Sequence, residues 1–287
     1  MKYAIVCSTQ DPASMNIRSN LLTNFDFVET EDKFDDYPIH DFVPKEELFE
    51  KKSVFFDNEI KLYTTDKQLI VFENIDKKIN ADIFIFASRH QSASKVVSLT
   101  CHPIGNFDLA LYGGISSKLV KSNPFFLRSM YVALCKFGKE IPFDIINEAT
   151  HHGPYLDKAS IFVEIGSTQK EWENKKAGDA VSKSIIEAIK NYSEDCLVAL
   201  GLGGLHSCSE FNKIVISTNV AFSFICPKHS LEFINEDMIN QMIEKTPKKV
   251  DVVILDYKGL GKYKNEIIAL LEKLNIKYKR SYEIRNS

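Results

Sequence analysis

The chain has 287 residues, 44% hydrophobic and 26% charged, with a net charge of −3. That is enough for one large domain or two small ones, and it carries no overall nucleic-acid signature. No apolar run is long enough to cross a bilayer, residues 1–7 read as a strand and not a signal peptide, and a cytoplasmic protein is expected; six scattered cysteines without a Cys-x-x-Cys pair argue against a thiolate zinc finger or a disulfide scaffold.

In chain order, residues 3–7 form a first apolar β-type run. The stretch from about 26 to 80 breaks the rhythm: residues 26–82 hold 16 acidic and 8 basic side chains, with Pro38 and Pro44, and read as an irregular insertion, edge or lid. Residues 83–87 are the next strand, running into Ser88-Arg89-His90-Gln91-Ser92. The block Glu148-Ala149-Thr150-His151-His152-Gly153-Pro154 sets two imidazoles at a bend, because Gly-Pro forces a turn. Strand 161–165 follows and carries Glu164 among apolar residues, where a carboxylate is costly unless paired, hydrogen-bonded or bound to a metal.

Helical periodicity then appears in 177–192, with Ala177, Val181, Ile185, Ala188 and Ile189 on one face. Strand 196–200 leads into Gly201-Leu202-Gly203-Gly204-Leu205-His206, and strand 220–225 into Pro227-Lys228-His229. A helix capped by Ser230, a strand at 250–255 leading into Asp256-Tyr257-Lys258-Gly259, and a helix at 264–274 close the chain. Residues 244–287 hold 11 basic and 6 acidic side chains, either a solvated surface or a patch for a phosphate backbone.

Strands alternating with amphipathic helices predict an α/β sandwich with a mixed, mostly parallel sheet, read as a single domain over 1–287. In such sheets ligands gather beyond the carboxyl ends of the strands, where these polar motifs fall. Six histidines (His90, His102, His151, His152, His206, His229) lie at strand ends or turns, while His40 stands apart in the acidic stretch. Imidazoles beside a strand glutamate suit zinc with an open position. Glu164 is a ligand or a general base, or it is a buried ion pair with Arg89 or a lysine; Glu148 is the competing carboxylate. Gly201-x-Gly203-Gly204 reads as an anion loop or simply as tight turns, and Arg89 with Ser92 suits a phosphate or carboxylate.

These motifs, with Ser98-Leu99-Thr100, His102, Gly105 and Asn106, and with Phe162-Val163-Glu164-Ile165-Gly166-Ser167, resemble the archaeal and plant type of D-aminoacyl-tRNA deacylase, the zinc-containing D-tyrosyl-tRNA deacylase class. The likeness runs in order over about residues 80 to 280. It implies a phosphorylase/hydrolase-like three-layer sandwich, a monomer that binds one or two Zn²⁺ and hydrolyses the ester joining a D-amino acid to the 3′ end of tRNA. On that basis the metal ligands are expected among His90, His102, His151, Glu164 and His206, and the catalytic groups among Glu164, His151, His152 and Glu148. Arg89, Ser92, Gly203, Gly204, Lys228 and Lys258 are the expected substrate contacts. Two departures stand out: His206-Ser207-Cys208 where the family has His then Tyr, and Ser223-Phe224 where it has Gly-His. A zinc amidohydrolase or carboxypeptidase-like enzyme and a non-catalytic tRNA-binding protein are the competing readings.

Overall fold

Apolar on both faces, β1 (Lys2–Ser8) must be covered from two sides, and it lies well inside an eight-stranded sheet. This comes from a computed structural model that describes residues 1–43 and 58–285. The Asp11 carboxylate caps α1 (Pro12–Asn24) by accepting from the Ala13 and Ser14 amides, and Pro12 sits in the first turn, where its missing N–H costs nothing.

The acidic stretch differs from expectation. Its first part is regular, with β2 (Phe27–Phe34), β3 (Tyr37–Phe42) and β4 (Glu59–Thr65) extending the sheet beyond β1, while residues 66–80 are turns and short 3-10 segments; residues 44–57 lie outside the described residues. Asp35 and Asp36 join β2 to β3 with φ of 47° and 71°, the paired left-handed conformation of a two-residue hairpin turn. Charge on outer strands blunts edge-to-edge association, which accounts for the acidity without an irregular backbone.

The remaining strands of this sheet are β5 (Ile83–His90), β6 (Ser98–Pro103), β7 (Asp144–Asn147) and β8 (Ala159–Gly166), in the order β2-β3-β4-β1-β5-β8-β6-β7. Strands β4, β1, β5 and β8 are mutually parallel, while β6 runs antiparallel to β8. The predicted mixed sheet is therefore present. A second sheet, wholly parallel and not foreseen as separate, follows the order β10-β9-β11-β12, with β9 (Leu197–Leu202), β10 (Val220–Cys226), β11 (Val252–Leu255) and β12 (Tyr278–Arg280).

Helices α1, α2 (Pro124–Gly138) and α4 (Lys175–Lys190) cover one face of the large sheet, with a short α3 (Gln169–Trp172) before α4. Their apolar stripes meet Ile5, Ile85, Val163 and Leu99 in a core that continues through α5 (Ser209–Ser217) to Phe222 and Ile225 of the second sheet. Helices α6 (Glu236–Glu244) and α7 (Lys264–Lys273) cover the other face of that sheet, and α8 (Ser281–Arg285) ends the described chain. The opposite face of the large sheet is different. There Val6, Phe84, Phe86 and Phe162 are buried under the turns around Leu69, Ile75 and Leu156, not under a long helix. That loop-covered face opens into the site.

Candidate active site

Side chains on a strand alternate between faces, and register decides which of them meet. Glu164 on β8 is level with Ser88 on β5 and with Thr100 on β6. The three share the loop-covered face: the Ser88 hydroxyl donates to Glu164 Oε1 at 2.7 Å, and the Thr100 hydroxyl to Oε2 at 3.3 Å. Two residues deeper come Phe86, Phe162 and His102; two residues outward come His90, Gly166 and Ser98. Gly166 is required there, since a Cβ at that position would lie 2.8 Å from the His90 ring. Arg89 is not the partner of Glu164: its guanidinium stacks 5.2 Å from the Trp172 ring.

The block 148–153 stitches the two sheets together. The Glu148 amide donates to Cys101 O, the Ala149 amide to His206 O, and the Thr150 amide to Ile225 O. His152 has φ 41°, and this left-handed step keeps its ring beside that of His151, with centroids 4.4 Å apart. His102 lies 3.9 Å from His151 and 4.8 Å from His152, and His206 lies 4.5 Å from His151. Each of three rings has Nδ1 against a backbone carbonyl: His102 on Pro103 at 3.1 Å, His151 on Ala149 at 2.8 Å, His152 on Gly153 at 2.7 Å. A carbonyl only accepts, so Nδ1 carries a proton on each ring and Nε2 is the atom left for a ligand.

Electrostatics separate the groups. Burial drives His151 well below its ordinary value, reinforced by His102, His152 and His206; burial takes His152 to about 4 and His206 to about 4, with His102 contributing to both. Burial would raise Glu164, but His102 and His90 outweigh it and hold the carboxyl well below the carboxylate range. Glu148 is pushed up, chiefly by burial. Burial would lower His90, yet Glu164 and Glu148, each with an oxygen 3.5 Å from Nδ1, raise it to about 9.

Three sets bring one ligating atom per residue within 4.8 Å of one another: His102, His151 and His152; Glu148, His151 and His206; His90, Glu148 and Glu164. His102 Nε2 and Glu148 Oε2 are buried without a hydrogen-bond partner, a costly state that a cation would relieve. Imidazoles tied at Nδ1 by carbonyls are the usual support for a metal ligand. The donor set fits a borderline ion such as zinc.

The cluster floors a cleft of about 1220 Å³ that Arg89, Ser92 and Lys95 line on one wall and Leu69, Ile70 and Tyr112 on another. Arg89 and Ser92 are thus brought to the histidines. Gly203 and Gly204 do not line this cleft, although Gly204 lines an adjoining one; a Cβ on either would lie 2.9 Å from an Asp256 oxygen, so their bareness admits the 256–260 turn. Lys228 lines an adjoining cleft, and Lys258 lines neither. Phe224, where the resemblance led to an imidazole, is fully buried in the second sheet's core. Ser207 lines the cleft. Sequence reasoning missed Asp11, which lines the cleft and accepts from the Arg89 amide at 2.8 Å; the Asp-Pro start of α1 was its available signal. It also missed Trp172, whose indole donates to His90 O at 3.0 Å, and Tyr112, whose carbonyl accepts from Gly153 N at 3.1 Å.

A cleft of buried carboxylates and imidazoles, beyond the carboxyl ends of parallel strands, marks an α/β protein with the groups of a hydrolase. The D-aminoacyl-tRNA deacylase family profile matches residues 77–279. The chain belongs to that family. It is 35% identical to the D-aminoacyl-tRNA deacylase of Thermococcus onnurineus, over 96% of this chain and 98% of the relative. The Pyrococcus furiosus D-aminoacyl-tRNA deacylase is 34% identical over 89% of this chain and 90% of its own. A crystal structure of a conserved protein of unknown function superposes with TM-score 0.86 at 28% identity, covering 100% of this chain and 97% of that one.

Proposed function

We propose that this deacylase cleaves the ester between a D-amino acid and the 3′ end of tRNA at the histidine–carboxylate cluster, assisted by one or two Zn²⁺. The observation carrying the metal reading is the set of three imidazoles locked at Nδ1, which leaves Nε2 as the atom offered to a metal beside two buried carboxylates. His102, His151 and His152 would hold one ion, and Glu148 a second, either with His151 and His206 or with His90 and Glu164. Bound zinc supplies Lewis acidity and lowers the pKa of water toward neutrality.

The protein's own groups do the rest. Glu164, fixed by Ser88 and Thr100, stays ionised and takes a proton from the attacking water; Glu148, whose Oε2 lies 3.5 Å from His90 Nδ1 with no hydrogen-bond partner, is the second proton acceptor. Arg89 and Ser92 line the polar wall that meets the substrate, and the Leu69–Tyr112 side supplies an apolar one. The chain is read as one domain, since a single core spans both sheets, acting as a cytoplasmic monomer. Among the described residues no helix is long and apolar enough to cross a membrane.

The test is release of amino acid from D-tyrosyl-tRNA and L-tyrosyl-tRNA by protein as purified, chelator-stripped and zinc-restored. D-selective release that falls on stripping and returns with zinc is expected. D-selective release that survives stripping removes the metal from the mechanism; no release from either ester overturns the assignment.

A further inference from the structure

The histidine cleft has a side exit. A second cleft, of about 670 Å³, shares Leu205, His206 and His229 with it and continues past Lys228, Lys262 and Tyr263. We infer that this second cleft holds the nucleotide preceding the esterified adenosine and so directs the unpaired 3′ strand of tRNA out of the site; the inference rests on the deacylase reading above.

Three observations carry it. First, Lys228 and Lys262 share one rim, and among the described residues neither has a carboxylate within ion-pair distance. Gly261, with φ 56°, makes room for this: a Cβ there would lie 3.1 Å from Lys228 Cε. Two unpaired ammonium groups at one rim suit a phosphate, and Glu232, the only acid lining the cleft, leaves the balance positive.

Second, the cleft offers faces for a base. Tyr263 is half-buried with the Lys262 ammonium 4.8 Å from its ring, and Leu205 is 71% exposed at the junction. An unpaired base stacks on such surfaces without sequence preference, and the 3′ end of tRNA is single-stranded. Third, cations and aromatics recur close by in the sequence: Lys264 and Arg280 sit 4.2 and 4.1 Å from the Tyr257 ring. The opposite wall is less suited to a phosphate chain, because Arg89 is held at Trp172 and the Asp11 carboxylate lies beside it.

The experiment compares D-tyrosyl-tRNA with D-tyrosyl-adenosine, which lacks the preceding nucleotide, for wild type, Lys262→Ala and Tyr263→Ala. Each variant is expected to lower the ratio of kcat/KM on tRNA to kcat/KM on the nucleoside ester about tenfold, through KM, as loss of one stacked base or phosphate contact would. Lys262→Ala should also reduce the salt slope on tRNA by about one. Equal losses on both esters, or no loss on either, would overturn the inference. Wild type that hydrolyses neither ester would instead bring down the deacylase reading on which it rests.

Discussion

Thr150 and Ile225 are joined by two hydrogen bonds: the Thr150 amide donates to the Ile225 carbonyl at 3.0 Å, and the Ile225 amide donates to the Thr150 hydroxyl at 3.1 Å. This clasp ties the segment that carries Glu148 and the histidine pair to the second sheet, whose β9 leads into the turn that carries His206. Thr150→Val keeps the shape but leaves the Ile225 N–H without an acceptor, at about 1–3 kcal/mol. A lower denaturation midpoint is expected, with a fall in kcat as His206 loses its register. Unchanged stability would mean that water replaces the hydroxyl.

Glu164 and its supports can be separated kinetically. Glu164→Gln is nearly isosteric and should reduce turnover by about 10²–10⁴ while leaving tRNA affinity in place. Ser88→Ala removes one hydrogen bond to an ionised carboxylate, about 1.5–3 kcal/mol, and should lower kcat roughly tenfold or more with little change in KM. A Glu164→Gln enzyme turning over at the normal rate would transfer the proton-accepting role to Glu148.

Metal binding is predicted to register in stability as well as in activity. A ligand at about a hundredfold excess over its Kd stabilises the native state by about 2.7 kcal/mol, so zinc should raise the Tm of stripped protein. His102→Ala removes one of the three locked imidazoles and should lower both the bound zinc and the Tm gain. Equal zinc content and an equal gain in the variant would place the ion on the other carboxylate-containing sets.

Acid stability should depend on the β2–β3 turn. Burial would raise Asp35, but hydrogen bonds from Thr65 at 2.6 Å and Lys67 at 3.0 Å bring its carboxyl below the ordinary range. A carboxylate with a depressed folded-state pKa contributes stability above its unfolded value, about 3.9, and loses it as pH falls through the folded value. Asp35→Asn is therefore expected to be less stable than wild type at pH 7, the gap closing below about pH 4. A gap independent of pH would assign the loss to the turn backbone and not to the charge.

Much of the site was legible because it violates local rules. A glutamate inside an apolar strand and two histidines before Gly-Pro are both expensive without a purpose, and both lie in the cluster. What was not legible depends on long-range pairing. Strands β9, β10 and β11 have the same apolar runs as β1, β5 and β8, and nothing local says that they form their own sheet. The hairpin β2–β3 was hidden because its outward face is acidic on an edge, which masks alternation. Gly203 and Gly204 looked like an anion loop, but a bare backbone serves equally to admit another chain segment, here 256–260. Asp11 could have been found from Asp-Pro as a helix start; its contact with the Arg89 amide could not, since the two are 78 positions apart.

The acidic hairpin occupies one end of the large sheet's strand order, while α2 and α5, next to β6 and β7 at the other, touch the second sheet with its lysine-rich C-terminal residues. The molecule is thus polarised end to end despite its small net charge. A polyanion approaching from solution is turned before it touches, because the hairpin repels it and the far end attracts it. Encounter becomes orientational guidance as much as adhesion, and productive collisions should thin out as added salt shortens the reach of that field to about 8 Å at physiological ionic strength.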